Sequence, residues 1–393
     1  MKHNWEYKRL GEISTIKSGY TPSSDELLSE GEVPYFKVAE MNLPGNEKYL
    51  INTLSFLSGK IKTFPAKSIV FPKNGAAVST NKKRILQKDS VVDLNTAILI
   101  PNQHVTTDYI YHILQNIDFS LLVKRGTVPT LNTSKLIDTV IPVPPMEVQE
   151  QIVAELDKIN EVIADCRELL RNLDTLAQSL FYDTFGDPVT NPKGWHIAKM
   201  KELTSLITNG TTPKGGQAVY VDSGITFLRS QNVWRNKVVM DDVAYLDEAT
   251  NSSMKGSMLH HNDILITKTG RVNTENSSLG RSALFTGEDN TANINGHVYL
   301  VRLKNTMAPR FVLAILLSDS YRNLIRKVCV GAIDKRQLNL SHIEQFPIIM
   351  PPITLQKQFV AQVERIEAQK KAVEAAIDEL QTLLDSRMDY WFN

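Results

Sequence analysis

From Ile152 the apolar positions recur at alternating steps of four and three residues: Ile152, Leu156, Ile159, Ile163, Cys166, Leu170, Leu173, Ala177 and Leu180. This is a heptad seam, the mark of a helix that buries one narrow stripe against another helix. A second seam runs in the same phase through Phe359, Val363, Ile366, Val373, Ile377, Leu380 and Leu384. Lys370 interrupts its interior and Arg387 stands at its end. A helix of roughly 40 residues is about 60 Å long and cannot bury such a stripe on itself. The spacing predicts that the two helices pair with each other; a helix lying on its own module, or an intermolecular coiled coil, would also cover the seam.

Outside the seams the pattern changes to short apolar runs, SIVFP and AILIP before the first helix, DILIT and VYLVRL before the second. Loops rich in Gly, Asn, Ser and Thr separate them, and helical stretches such as TDYIYHILQNI and PRFVLAILLSDSYRNLI follow. The fold class is α+β.

The two halves repeat one another. TVIPVPPMEVQEQIVAELDKI from Thr139 returns as FPIIMPPITLQKQFVAQVERI from Phe346. Trp5, Leu10, Glu12 and Ile13 are answered by Trp195, Met200, Glu202 and Leu203, and Gly19, Thr21 and Pro22 by Gly210, Thr212 and Pro213. VPYFKVAEM matches ITFLRSQNV, IVFPKNG matches ILITKTG, and GTVPTLN from Gly126 takes the place of GAIDKRQLN from Gly331. Because strands and turns repeat in order along with the helices, the chain is read as two equivalent modules with equivalent tasks. The expected division is residues 1–145 and 187–350 for the modules, 146–186 and 351–393 for the helices. If each module brings its ends together, the second helix returns alongside the first, antiparallel, and a module stands at either end of the rod. That geometry is a ruler with a reader at each end and a pseudo-twofold axis between them.

Charge supports the division. The net charge is +1 overall, but by segment it is about +4, −6, +5 and −2 in chain order, so the positive charge sits in the modules. Such modules suit a polyanion. Two cysteines, Cys166 and Cys329, make no disulfide framework or metal cluster, which fits a reducing cytosol and a cytoplasmic location. MKHNWEYKRL has no apolar signal region, and runs such as VLAILL are too short to cross a bilayer.

Candidate chemistry lies in loops where basic and amide side chains occur together. In the first module these are Lys37, Lys73, Thr80, Asn81, Lys82, Lys83 and Arg84; in the second, Arg229, Gln231, Asn232, Lys268, Thr269 and Arg271. Arg, Lys, Asn and Gln read base edges, whereas Ser, Thr and Lys favour phosphates. No phosphate loop, G-x-G-x-x-G turn or H-E-x-x-H pair is found, and the adjacent His260 and His261 lack ligand company. Neither catalytic nor metal-ligating residues are assigned.

The segments PPMEVQEQIVAEL and PPITLQKQFVAQV, with Pro144, Pro145, Gln149, Gln151 and Ile152 against Pro351, Pro352, Gln356, Gln358 and Phe359, resemble the specificity subunits of type I restriction-modification enzymes. The resemblance covers essentially the whole chain. It implies two tandem target-recognition domains separated by an antiparallel two-helix coiled coil. It further implies a bipartite double-stranded DNA target read one half-site per domain, without catalysis by this chain. It implies as partners two modification subunits, which use S-adenosylmethionine, and restriction subunits, which use ATP and Mg. This chain itself would bind no cofactor. A DNA methyltransferase or endonuclease carrying its own recognition domains is the alternative, and the missing cofactor motifs count against it.

Overall fold

A computed structural model describes residues 5–392 apart from 125, 127, 273, 275, 333 and 334. The chain divides into two compact units, Met1–Glu168 with Glu374–Asn393, and Leu169–Val373. Each therefore contains a mixed α/β module and a stretch of both long helices, Met146–Phe185 and Ile353–Phe392.

In the first unit a five-stranded sheet has the order Ser14–Ser18, Thr96–Pro101, Ile69–Pro72, Arg84–Leu86, Tyr49–Leu50. A smaller sheet sets Val33–Phe36 between Ser55–Leu57 and Val91–Val92. Helix Thr107–Asn116 buries Tyr109, Ile110, Ile113 and Leu114 in the core beside Ile69, Phe71 and Leu99. The second unit repeats this plan with two four-stranded sheets, one led by Thr204–Asn209 and Val298–Leu303, the other built around Ile225–Leu228. In both, the strand after the matched turn pairs in parallel with a later one, Tyr35–Phe36 with Val91–Val92 and Thr226–Leu228 with Ala292–Ile294. The matched glycines explain themselves here: a Cβ on Gly19 would lie 2.1 Å from the Asp93 carbonyl oxygen, and one on Gly210 2.0 Å from that of Ile294. Only glycine lets the backbones approach so closely.

The first and last strands of each module close it against the start of its long helix. Glu6–Arg9 pairs with Val140–Val143, and Ile197–Lys199 with Pro347–Ile349. Each diproline follows the closing strand, where the fixed φ of proline ends the ladder and starts the helix.

The long helices are part of both cores. In the first unit Ile152 and Leu156 are fully buried with Leu10 and Tyr109 in a cluster that includes Met388, and Leu384, Trp391 and Phe392 pack on it. Trp391 stacks on Trp5 with ring centroids 5.9 Å apart, and Phe392 meets Tyr109 edge-on at 5.7 Å. The aromatic end of the second helix thus completes the first module. In the second unit Phe181 and Phe185 join Phe311 and Phe359, with Phe185 4.7 Å from Phe311 and 5.4 Å from Phe359. There the end of the first helix completes the second module.

Within the second unit Asp174 pairs with Lys370 while Phe181 meets Phe359, so the helices run antiparallel. Of the expected seam, Ile152, Leu156, Ile159, Ile163, Leu173, Phe359 and Ile366 are buried; Cys166, Leu170, Leu180, Val363, Val373, Ile377, Leu380 and Leu384 are half-buried. Lys370 and Arg387 fit the seam because each meets a carboxylate across it, Asp174 and Glu155 respectively. Arg387 Nη2 lies 3.0 Å from Glu155 Oε2, which also accepts from Trp391 Nε1 at 3.0 Å. Among the described residues no helix is long and apolar enough to cross a membrane.

Candidate nucleic-acid interface

The residues proposed from sequence divide into those that hold the modules together and those that remain available. Lys83 belongs to the first kind, correcting the expectation that it is a contact residue. It is fully buried, donates to Asn81 Oδ1 at 2.6 Å and to the Ile117 carbonyl at 2.9 Å, and lies 4.1 Å from the Phe119 ring centre. Burial pulls its ammonium down to about 7, opposed by the charge of Asp118. Asn81 is committed as well: it adopts a left-handed φ of 55°, and its Oδ1 also accepts from the Phe119 N–H at 2.9 Å. Arg84 donates to the backbone carbonyls of Lys83 and Met41 at 2.8 and 3.1 Å. Lys82 is half-buried and reaches Asn42, whereas Thr80 is exposed, its hydroxyl donating to the Ala77 carbonyl at 2.6 Å.

A similar lock exists in the second module. Asn232 is buried and donates to the Val239 and Asp242 carbonyls at 3.0 and 2.8 Å, so it too is structural. Arg229 and Gln231 both turn to Asp242, at 3.1 and 2.7 Å. Hydrogen bonds from Gln231 and Arg229 hold the Asp242 carboxyl below its ordinary range. Lys37, the counterpart of Arg229, is exposed, with Nζ 5.7 Å from the Tyr35 ring centre.

The remaining four residues stand on equivalent elements, Lys73 in the first module and Lys268, Thr269 and Arg271 in the second. Lys73 follows strand Ile69–Pro72, and its backbone carbonyl accepts from the Leu131 N–H at 2.8 Å. Lys268 follows Ile264–Thr267, and its carbonyl accepts from the Leu338 N–H at 2.9 Å. Beside each lies a small ribbon. In the first module Val123–Lys124 pairs with Thr130–Leu131, and Asn74 bridges to Thr130. In the second Val330–Ala332 pairs with Lys335–Gln337, which pairs in turn with Thr269–Gly270. Val330–Ala332 is exposed throughout, Arg271 is exposed, and Lys268 and Thr269 are half-buried. Lys73 Nζ donates to Ser18 Oγ at 2.7 Å, and burial draws its ammonium below the usual lysine range.

These ribbons add Asn74, Lys124 and Thr130 in one module and Lys335, Arg336 and Gln337 in the other to the residues expected from sequence. The matched GTVPTLN and GAIDKRQLN segments marked their place, and the Lys-Arg-Gln run in the second was the available signal. Each ribbon carries an exposed lysine, Lys124 in one and Lys335 in the other, and the major groove of DNA admits a β-ribbon.

Two repeated side chains fix where these modules stand on their helices. Gln149 is fully buried; its Oε1 accepts from the Thr106 N–H at 2.9 Å, and its Nε2 donates to the Pro144 carbonyl at 2.9 Å and the His104 carbonyl at 3.1 Å. Gln356 does the same with Ala308 N–H at 3.0 Å and the Pro351 carbonyl at 2.8 Å. Ion pairs add to this: Lys48 Nζ lies 2.7 Å from Asp157 and 2.8 Å from Asp108, and Arg310 meets Glu367. His260 and His261 are bound up locally, with the His260 N–H on Asp263 and His261 Nδ1 3.3 Å from the Gly287 carbonyl.

Comparison with known proteins places this arrangement. Residues 2–170 match the family model described as the type I restriction modification DNA specificity domain. The chain is 21% identical over 301 residues to the MjaIX specificity subunit of Methanocaldococcus jannaschii, covering 68% of this chain and 66% of that one. It is 27% identical over 165 residues to the EcoR124I/EcoR124II specificity subunit of Escherichia coli, covering 39% of this chain and 41% of the relative. These alignments therefore span less than two thirds of either relative. The crystal structure of the type I restriction-modification S subunit from M. genitalium superposes with a TM-score of 0.57 at 14% identity, covering 99% of this chain and 96% of the other.

Proposed function

We propose that this chain, which belongs to the specificity subunits of type I restriction-modification enzymes, reads a bipartite double-stranded DNA sequence, one half-site per module. The observation that carries the reading is the duplication of the module, each copy with its own small ribbon bearing an exposed lysine, on two uninterrupted helices that enter both cores. Two unlike ribbons on like scaffolds suit an asymmetric target: sequence lies in the side chains, and register in the shared frame.

The chain does no bond-making in this scheme. Methyl transfer from S-adenosylmethionine belongs to modification subunits, two of which assemble on the helices. ATP- and Mg-dependent translocation and cleavage belong to restriction subunits. The excess of acidic charge along the long helices keeps the scaffold off DNA while the modules bind it. Such a protein works in the cytoplasm, where its DNA is.

The test is to reconstitute the chain with its modification subunit, expose DNA of varied sequence, and map the methylated adenines. Methylation at one two-part sequence with a fixed gap is expected. Methyl transfer by the chain alone, or methylation without sequence preference, refutes the assignment.

A further inference from the structure

We infer that the second module's ribbon, Val330–Ala332 with Lys335–Gln337, enters the major groove and that Arg336 reads a base edge there. The inference rests on the DNA-binding function proposed above and names the element that performs it.

Arg336 occupies an unusual place. Its cross-strand neighbour on one side is Gly331 and on the other Gly270, so neither directly paired residue carries a side chain. Neither glycine is incidental. A Cβ on Gly270 would lie 2.3 Å from the Leu279 nitrogen, and one on Gly331, at φ 114°, would lie 2.7 Å from the Lys335 carbonyl oxygen. At both positions the neighbouring chain comes too close for a Cβ, so the pairing on either side of this arginine requires glycine.

The guanidinium is also unspent. Arg336 Nε is shielded from solvent and has no acceptor. Arg84 and Arg229 share an unserved Nε, but their other nitrogens are held by Met41, Lys83 and Asp242. Among the described residues nothing comparable holds Arg336. The shielded Nε is closed to a ligand, but the two Nη groups have no partner among the described residues and can donate to an acceptor that a ligand brings. The planar fork matches the O6 and N7 of guanine, the commonest specific contact in the major groove.

Its neighbours fit the same ligand. Lys335 is exposed, as a phosphate contact must be, and half-buried Gln337 offers an amide. Val330–Ala332 forms a thin exposed edge without polar bulk, and Lys335–Gln337 lies between it and Thr269–Gly270 in a three-stranded ribbon. The first module's ribbon carries Lys124, Thr130 and Asn74 instead. Its half-site is accordingly a different sequence.

The experiment selects bound duplexes from a random library with the full chain assembled with its modification subunit, comparing wild type with Arg336→Ala, Arg336→Lys and Lys335→Ala. Arg336→Ala and Arg336→Lys should both lose discrimination about tenfold or more at one base pair of one half-site, with the other half-site unchanged. Lys335→Ala should weaken binding evenly across sequences and lower the salt slope by about one. Unchanged thermal midpoints show that the variants fold, and the conservative Arg336→Lys supplies the test if alanine perturbs the ribbon. The inference fails if both half-sites survive Arg336→Ala, or if Arg336→Lys restores full base preference, which would make Arg336 a phosphate contact. If wild type selects no bipartite sequence, the DNA-reading function itself falls and this inference with it.

Discussion

Gln149 accepts the backbone N–H of Thr106 at 2.9 Å, reaching from the first turn of a long helix to the start of a helix in the module it supports. Thr106 is the N-cap of Thr107–Asn116, so the side chain serves a helix end that would otherwise be poorly satisfied. Gln356 repeats the arrangement with Ala308, N-cap of Pro309–Leu317. The repeated glutamine is therefore a joint between reader and scaffold. It sets the angle at which a module leaves its helix.

Gln149→Ala should destabilise the first unit by about 1–2 kcal/mol, because three backbone groups, of which the Pro144 carbonyl is buried, lose their partner at once. Gln149→Leu, which restores volume but not hydrogen bonds, should not recover it. Urea unfolding followed by a probe in each unit checks this, and Gln356→Ala should act on the second unit. A loss below about 0.5 kcal/mol for Gln149→Ala would show that water replaces the joint.

The ion pairs across the seam break the repeat where the glutamines keep it. Glu155 corresponds to Gln362 and Arg387 to Leu180; Asp174 corresponds to Gln381 and Lys370 to Ile163. Pairing the first helix with another copy of itself would set Glu155 against Leu180 and Asp174 against Ile163. The charges thus favour unlike helices. Glu155 and Arg387 side chains are about a third exposed, so a double-mutant cycle should give a coupling of only about 0.5–1 kcal/mol. Hydrogen bonding to Arg387 lowers the Glu155 carboxyl pKa, against a burial effect that would raise it. Its contribution is present above the ordinary carboxyl range and fades as pH falls through the depressed value. Exchanging the charges, Glu155→Arg with Arg387→Glu, should restore most of the coupling lost in either single variant. Additive losses in the swap would mean that Trp391, not charge, holds Glu155.

What was legible in the sequence follows from the length over which each signal repeats. The seam from Ile152 and the matched segments around Pro144 and Pro351 state one physical demand many times, so helices and duplicated α+β modules could be read directly. Single loop residues state nothing twice. Lys83 and Asn232 have the composition of contact residues yet are buried, because the Phe119 ring and the Val239 and Asp242 carbonyls are brought to them by distant segments. Arg336 was passed over for the converse reason. Its setting depends on Gly270, 66 positions away in sequence, and no local pattern records that pairing.

Lys83 gives the first module a pH signature. Its folded pKa is lowered from 10.5 to about 7, so the unfolded chain binds the proton more tightly. The cost of holding this lysine is fully present below the folded value and is relieved as pH rises from about 7 through 10.5. Stability of the first unit should therefore climb over that window. Lys83→Met, which keeps the apolar stem and drops the amine, should flatten the climb, measured by denaturant midpoints at each pH. An unchanged slope in the variant would assign the effect to other groups.

The long helices make the last prediction. Each is a single element of 40 residues, with no proline inside it to absorb an insertion by kinking. Seven residues preserve the heptad phase, so one extra heptad in both helices, after Glu168 and before Glu374, keeps every seam residue on its stripe. Each helix grows by about 10 Å, the rise of about three base pairs. If the helices set the distance between the half-sites, the required gap should widen by about that amount while both half-site sequences stay the same. An insertion in one helix alone should instead misalign the seam and destabilise the chain. Mapping methylated adenines with the lengthened protein decides the matter: a changed half-site with an unchanged gap would show that the spacing is set by the modules or by partner subunits.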